Sequence, residues 1–249
     1  MRLLIAVLLP IITFRLSSAE LIDEFVERSK GFRVSLIREP HQLIAAQVLA
    51  YNVLVEETGI VSKSGGFNGS ENRETNQRFI DDGSGNRRLV DEFDEVAQWF
   101  GIYFGERIIG CSRVFTRRQT DQKMLAELFN SKLPAKYSEI NVLEVGRLCG
   151  AKEFRSKGLI LSLLHKKMVE YAITKDCSLL TYSAQGNVIR ILTDVLYEYE
   201  GIDAEKYKFI FLPRVRMEES LRVAESKIRR IISGLDEASP DSSPTAGKR

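Results

Sequence analysis

Cysteine and histidine are both scarce in this sequence. The 249 residues contain three cysteines, Cys111, Cys149 and Cys177, and two histidines. An odd number of cysteines without C-x-x-C spacing argues against a disulfide framework and against a zinc site. We therefore expect no bound metal, and we expect the reduced setting of the cytoplasm.

An excess of charge of either sign is also lacking. The chain has 36 basic and 34 acidic residues, a net charge of +2, and the two signs are interspersed along the sequence. This balance does not favour a nucleic-acid partner, so any basic site must be local.

Long apolar runs are missing except at the start of the chain. Residues 1–19 have a positive start, an apolar stretch of about a dozen residues and then small residues. These three parts are the signature of a secretory signal peptide. The alternatives are a short membrane-associating segment and an apolar extension of the fold, since the stretch is too short to span a bilayer comfortably.

The rest of the chain alternates between strand and helix periodicity. A long helix begins at Pro40 and ends before Gly59. Strands are predicted at Phe32–Ile37, Val96–Phe104, Arg107–Phe115, Ile140–Cys149, Ser178–Tyr182 and Tyr207–Leu212, and further helices after Gly158, from Asn187 to Glu198 and from Arg216 to Leu235. This order predicts one α/β (α+β) domain over residues 20–235, with a mixed sheet flanked by helices, and a disordered polar tail at 236–249.

Residues 62–88 interrupt this alternation. They are rich in Gly, Asn, Ser and Arg and show little periodicity, which predicts a long mobile loop. A loop of this length inside a compact domain is usually functional or disordered. A lid over a pocket and plain disorder are therefore the two interpretations.

The stretch from Ile140 to Tyr171 carries the clearest site. It has the order strand, turn, basic glycine loop and helix, with Arg155, Lys157 and Gly158 where the helix begins. A helix start presents unpaired backbone N–H groups and the positive end of the helix dipole, which together bind phosphate. The pattern therefore predicts an anion-binding site at this helix start.

Two charged residues interrupt the apolar strand that precedes this loop. Alternation places Glu144 on one face of the strand and Arg147 on the other. Both reach one site only if the strand contains a bulge, and Gly146 is a suitable place for one. A carboxylate beside the anion-binding site is the predicted result.

A second charged group surrounds the predicted hairpin. Asp91 and Asp94 precede its first strand, and Arg113 lies on the second. The two carboxylates could hold an ammonium group of a ligand, or the three residues could form a structural ion-pair cluster. In the helix after Gly158, the spacing of apolar residues predicts that His165 lies on the solvated side.

These motifs resemble those of one enzyme superfamily. The segment Arg155-Ser-Lys-Gly158-Leu-Ile160 resembles the acyl-donor signature Arg-x-x-Gly-x-(Gly/Ala) of GNAT acyltransferases, and departs from it at the last position. The segment Leu143-Glu144-Val-Gly-Arg147 resembles the Glu-x-Ser-Arg strand motif of acyl-homoserine-lactone synthases and of long-chain N-acyl amino acid synthases, with Gly146 in place of Ser. The segments Asp91-Glu-Phe-Asp94 and Gly110-Cys-Ser-Arg113 are similar to the same group, so the resemblance extends from about Tyr51 to Tyr182.

The resemblance implies a GNAT fold with a mostly antiparallel central sheet and a cleft between two central strands. It also implies a site for the phosphopantetheine arm of an acyl donor at Arg155, Lys157, Gly158, Leu159 and Ile160. Glu144 would be the general base, acting directly or through water, and no nucleophilic serine or cysteine is needed. The implied acceptor pocket consists of Asp91, Asp94, Arg113 and Arg147.

The resemblance further implies a bacterial, cytoplasmic, monomeric N-acyltransferase that makes an N-acyl amino acid. The acyl donor is a co-substrate, acyl carrier protein or acyl-CoA, so no bound cofactor is expected. The basic C-terminal helix is expected to pack on the sheet, with an acidic carrier protein or a membrane surface as alternative contacts. Alternative functions are a lactone synthase that uses S-adenosylmethionine, a non-catalytic acyl-binding protein and a secreted protein of unrelated role.

Overall fold

A computed structural model describes residues 31–61, 78–81, 84–116, 141–155, 158–183, 185–204 and 207–236. Within these ranges the strands are β1 (Phe32–Leu36), β2 (Arg78–Asp81), β3 (Arg87–Val90), β4 (Gln98–Phe104), β5 (Arg107–Thr116), β6 (Val142–Gly150), β7 (Ser178–Ser183), β8 (Glu198–Ala204) and β9 (Tyr207–Leu212). The α-helices are α1 (Pro40–Tyr51), α2 (Leu159–Thr174), α3 (Gly186–Thr193) and α4 (Met217–Asp236). Residues 1–19, Ser156, Lys157 and the tail beyond Asp236 lie outside the described residues.

Seven strands form one sheet, in the order β1-β4-β5-β6-β7-β9-β8. Strands β6 and β7 are parallel, and the other neighbouring pairs of this sheet are antiparallel. The parallel pair follows from the connection, because α2 crosses over between the end of β6 and the start of β7. The predicted mixed, mostly antiparallel sheet is confirmed.

Helices cover both faces of the sheet. Buried side chains of β4, β5 and β6 pack on α2, and α4 packs on α2 from outside. The opposite face packs on α1, where Ala46 and Ala50 meet Trp99, Cys111 and Cys149. Alternation along each strand divides its side chains between these two layers.

Helix α1 ends in a different backbone geometry. Proline occupies its first turn, as predicted, and the chain continues as a π-helix over Asn52–Glu57. Gly59 follows with φ of +60°, a conformation that glycine adopts without strain. Extra residues in a π-helical turn redirect side chains, and such turns occur frequently at functional sites.

Two predicted elements differ in the structure. The interpretation of 62–88 as one loop is wrong for its last part, since β2 and β3 pair as an antiparallel hairpin. The helix predicted from Asn187 to Glu198 ends at Thr193, and β8 begins at Glu198 and pairs with β9. Residues 62–77 are outside the described part of the chain.

The predicted position of His165 is also wrong. Its side chain is buried between α2 and α4, and its Nε2 lies 2.9 Å from the Ser220 hydroxyl. The outer face of α2 is covered by α4, so the side expected to meet solvent is an interface. Across the described ranges, we find no helix with the length and apolar character needed to cross a membrane.

Candidate active site

A cavity of about 190 Å³ lies where β6 and β7 separate. The two strands are paired from Val142 and Ser178 up to Val145 and Thr181, where the Thr181 hydroxyl donates to the Val145 carbonyl oxygen at 3.2 Å. Beyond this point β6 continues along β5 alone, and both strand ends line the cavity. The remaining walls come from the end of α1, the start of α2 and helix α3.

The cavity wall is apolar on one side and polar on the other. Its polar lining includes Arg113, Arg147, Arg155, Thr181, Tyr182, Ser183, Gln185 and Asn187. Its apolar lining includes Val53, Leu54, Ile60, Val145, Leu148, Ile160, Leu161, Val188 and Ile191. An apolar pocket with a few convergent polar groups is the usual form of a small-molecule site.

The bulge predicted in β6 is present. Arg113 faces Gly146 and Cys111 faces Cys149, so β6 has one residue more than β5 in this interval. The residue in the left-handed conformation is Arg147, with φ of +54°, and not the glycine beside it. This conformation is uncommon for a side chain larger than asparagine, and such residues cluster at functional sites. The bulge turns Arg147 toward the cavity, where alternation alone would have placed it on the opposite face from Glu144.

Asp91, Asp94, Arg113 and Arg147 form one buried ion-pair cluster. Both terminal nitrogens of Arg113 donate to the Asp91 carboxylate, at 2.5 and 2.6 Å, and Arg113 also pairs with Asp94. Arg147 donates to Asp91 at 2.7 Å. The four residues predicted as an acceptor pocket are therefore brought together, but only the two arginines line the cavity.

A short capped turn positions the two aspartates. The Asp91 carboxylate accepts from the Phe93 N–H at 3.0 Å, and the Asp94 carboxylate accepts from the Asp91 N–H at 3.2 Å. This is a capping box at the start of the 3-10 turn Glu92–Glu95. The Gln47 side chain of α1 adds a donor to Asp94 at 3.1 Å.

Burial and the arginine charges have opposite effects on the pKa values of the two carboxylates in this cluster. Burial alone would raise the pKa of Asp91, but the guanidinium groups of Arg113 and Arg147 outweigh it and hold that pKa well below its usual range. For Asp94, burial outweighs the charge of Arg113 and raises the pKa. Asp91 therefore stays ionised, and it anchors both arginines.

Glu144 is completely buried in β6, between Phe115 of β5 and Leu180 of β7. It does not line the cavity, although the next residue, Val145, does. Its charge acts on Tyr182, which lines the cavity at the end of β7. Burial, followed by the negative charge of Glu144, raises the pKa of the Tyr182 hydroxyl, which therefore stays protonated at neutral pH.

Tyr182 was not among the site residues predicted from the sequence. Its position at the carboxyl end of a strand parallel to β6 was available from the predicted order of elements. What the sequence did not show is that the two strands separate directly before it.

A glycine in the left-handed conformation stands where the sequence predicts an anion-binding helix start. Gly158 precedes α2 with φ of +76° and lines the cavity together with Ile160, whereas Leu159 is buried behind them. The Gly158 N–H donates to the Arg155 carbonyl oxygen at a long 3.4 Å. The Arg155 side chain lines the cavity, and its Nε donates to the Gly150 carbonyl oxygen at 2.6 Å.

Comparison with known proteins agrees with this geometry. Residues 70–165 match the family model of the acetyltransferase (GNAT) domain. No curated protein matches the chain in sequence. Solved structures do resemble it, at sequence identities that concern the fold alone.

Two solved proteins are similar over most of their length. FeeM, an N-acyl amino acid synthase from uncultured soil microbes, has a TM-score of 0.55 at 14% identity, over 78% of this chain and 97% of FeeM. BjaI, a CoA-dependent acyl-homoserine lactone synthase solved with MTA and with SAM and isopentyl-CoA, has a TM-score of 0.54 at 16% identity, over 80% of this chain and 90% of BjaI. The family match and this shared fold show that the chain has a GNAT-type fold, with the cavity lying between β6 and β7.

Proposed function

We propose that the protein transfers a fatty acyl group from an acyl thioester to the amine of an amino acid. The observation that carries the proposal is the cavity itself, which joins an apolar wall to two buried arginines and to the basic start of α2. The fold shared with FeeM, an N-acyl amino acid synthase, supports the same product class. Either acyl carrier protein or CoA can present the thioester on a phosphopantetheine arm.

The donor arm is proposed to enter at the start of α2. Its phosphate would meet Arg155, Lys157 and the backbone N–H groups at Gly158, Leu159 and Ile160, because a helix start and an arginine both favour a phosphate. The backbone of β6 beyond Val145 lines the cavity and no longer pairs with β7, so the arm can lie along this edge of β6. The acyl chain would lie against the apolar lining.

The acceptor is proposed to lie beside the two arginines. Because Arg113 and Arg147 line the cavity and the aspartates do not, the positive groups are the ones that a ligand meets. An amino acid supplies a carboxylate that suits them. Asp91 and Asp94 then act behind the arginines, holding them in place.

The transfer needs protons to move off the nitrogen and onto the sulfur. The acceptor ammonium loses a first proton, and its nitrogen forms a bond to the thioester carbonyl carbon. The C–S bond breaks, the departing thiolate takes up a second proton, and the group that supplies it is reprotonated by the proton that the new amide nitrogen releases. Glu144 is proposed as the final acceptor of the first proton, reached through water or the Tyr182 hydroxyl, because Glu144 itself does not line the cavity. The protonated Tyr182 can supply the second proton.

Mass spectrometry of lipid extracts tests the proposal. Cells expressing the unaltered chain should contain an N-acyl amino acid, and Glu144→Gln should reduce it by about a hundredfold or more. The exposed Glu218 on α4 provides a matched control, since Glu218→Gln makes the same chemical change outside the cavity lining. Tyr182→Phe gives a second test if the Glu144 variant does not fold.

The products separate the alternatives. An acyl lactone in place of an acyl amino acid would indicate a lactone synthase. Purified protein should then be incubated with acyl-CoA or acyl carrier protein and the twenty amino acids, which identifies the donor. If the purified protein binds a donor but forms no acylated product with either donor, the proposal is wrong and the chain is an acyl-binding protein.

A further inference from the structure

An ion pair joins Arg155, which lines the cavity, to Glu57. The guanidinium of Arg155 binds the Glu57 carboxylate through both terminal nitrogens, one of them at 2.8 Å. The two residues belong to distant parts of the chain, Glu57 to the π-helical end of α1 and Arg155 to the segment before α2. About a third of each side chain is exposed, 35% for Arg155 and 32% for Glu57.

Glu57 is not the only group that holds Arg155. The Arg155 Nε donates to the Gly150 carbonyl oxygen at 2.6 Å, and Gly150 is fixed in β6 opposite Gly110. This bond leaves the two terminal nitrogens for an anion, which is the bidentate geometry that carboxylates and phosphates share. In the structure Glu57 takes both of them.

We propose that Glu57 occupies the phosphate-binding edge of Arg155 and is displaced when the acyl donor binds. The inference rests on the proposed function, because it assumes that Arg155 receives the donor phosphate. An ion pair this exposed contributes little net free energy, so a donor phosphate aided by the start of α2 can replace it. Glu57 thus lowers the affinity of the site for anions that lack a complementary arm.

Displacement of Glu57 would also affect the cavity wall. Val53, Leu54 and Thr58 come from the same π-helical end of α1 and line the cavity. When the ion pair between Glu57 and Arg155 breaks, this segment loses one contact that holds it to the residues before α2. Donor binding is therefore coupled to the wall against which the acyl chain lies.

Calorimetric titration with CoA, at low and at high salt, tests this inference. Glu57→Gln removes the competing charge and should bind CoA about two- to five-fold more tightly than the unaltered chain at low salt. Arg155→Gln should bind several-fold more weakly. In the double variant the gain from Glu57→Gln should vanish, because the arginine on which it acts is gone.

Glu153→Gln is the matched control. Glu153 is exposed and pairs with Arg107 at 2.5 Å, and its pKa is lowered by its own backbone N–H, then by Arg107, and also by the nearby charge of Arg155. It therefore reports the general effect of removing a carboxylate near Arg155. The gain from Glu57→Gln should exceed the gain from this control and should shrink at high salt.

The remaining outcomes overturn the inference in distinguishable ways. Arg155→Gln could weaken CoA binding while Glu57→Gln binds CoA no more tightly than the unaltered chain or than Glu153→Gln. Glu57 would then not compete with the phosphate, and the proposed donor site would still hold. If the unaltered chain binds neither CoA nor acyl carrier protein carrying a phosphopantetheine arm, or binds them as well without Arg155, both the inference and the proposed donor site are wrong.

Discussion

At the residue scale, the charged cluster behind the cavity shows how a site can depend on a group that no ligand touches. Arg113 is completely buried and is surrounded by the rings of Phe93, Trp99 and Phe115 at 5.7 to 5.8 Å. A cation in such a place needs a paired anion, and Asp91 supplies it for Arg113 and Arg147 together. The two arginines can face a ligand because one carboxylate fixes both.

Asp91→Asn tests this dependence. Asparagine can still accept the Phe93 N–H, so the turn keeps its cap, while the buried guanidinium of Arg147 loses the carboxylate it pairs with and that of Arg113 keeps only Asp94. We expect the free energy of unfolding to fall by about 3 to 5 kcal/mol, measured by urea denaturation.

Asp176→Asn is the control for that substitution. Asp176 also pairs with an arginine, Arg214, but its side chain is 84% exposed, so we expect a change within about 0.5 kcal/mol. Equal, small effects for Asp91→Asn and Asp176→Asn would show that the buried cluster does not stabilise the fold. The alternative from the sequence, that Asp91 binds an ammonium group of a ligand, would then be favoured.

At the element scale, the start of α2 is placed by two glycines. Gly110 of β5 and Gly150 of β6 are cross-strand partners, and a Cβ on either would lie 2.8 or 2.9 Å from Cγ2 of Ile160. Ile160 therefore sits in the space that these glycines leave, and the first turn of α2 approaches the sheet closely. The helix start that we propose to bind the donor phosphate and the cavity wall share this contact.

Gly110→Ala should displace that turn. Gly110 does not line the cavity, so any effect on a ligand must pass through Ile160 and α2. We expect a loss of about 1 to 3 kcal/mol in the free energy of unfolding, with weaker CoA binding. Urea denaturation and calorimetric titration measure the two effects.

Gly186 supplies the comparison for this variant. A Cβ at Gly186 meets no atom within 4 Å, so Gly186→Ala should leave stability nearly unchanged or raise it slightly. If Gly110→Ala behaves in the same way, the close approach of α2 is not needed to position the donor site.

At the scale of the whole molecule, the sequence predicted what local patterns encode and missed what distant segments decide. Alternation and the Gly105 turn were sufficient for the β4–β5 hairpin, and the glycine before α2 marked the helix start. The hairpin of β2 and β3 was missed because the composition of residues 62–88 hides two short strands. Strand β8 was missed because it depends on pairing with β9 rather than on its own periodicity.

The same distinction between local patterns and distant contacts holds for the candidate site. Gly158 and the bulge beside Gly146 were predicted from spacing, but the left-handed residue proved to be Arg147. The cavity position of Tyr182 depends on the separation of β6 from β7, a property of the assembled sheet. Burial of His165 likewise requires α4, which follows 43 residues after the end of α2.

That buried histidine makes the stability of the whole fold depend on pH. The Ser220 hydroxyl donates to the Val195 carbonyl oxygen at 2.6 Å, so His165 Nε2 is the donor to Ser220. The ring of Tyr197 lies 5.3 Å away. Burial, aided by the charge of Lys227, lowers the pKa of His165 to about 3.

Acidification should therefore destabilise the protein. Between the ordinary histidine pKa of about 6.5 and the folded value of about 3, the unfolded chain binds a proton at this position and the folded chain does not, so stability falls as pH falls through that window. Lowering the pH from about 6.5 to about 5 should cost about 2 kcal/mol from this group. In His165→Gln, where an amide can still donate to Ser220, this share of the loss should disappear in urea denaturation curves.

The exposed His41 is the control, since His41→Gln should keep the loss. A loss that persists in His165→Gln would mean that the α2–α4 interface accepts the imidazolium, which its burial beside Lys227 argues against.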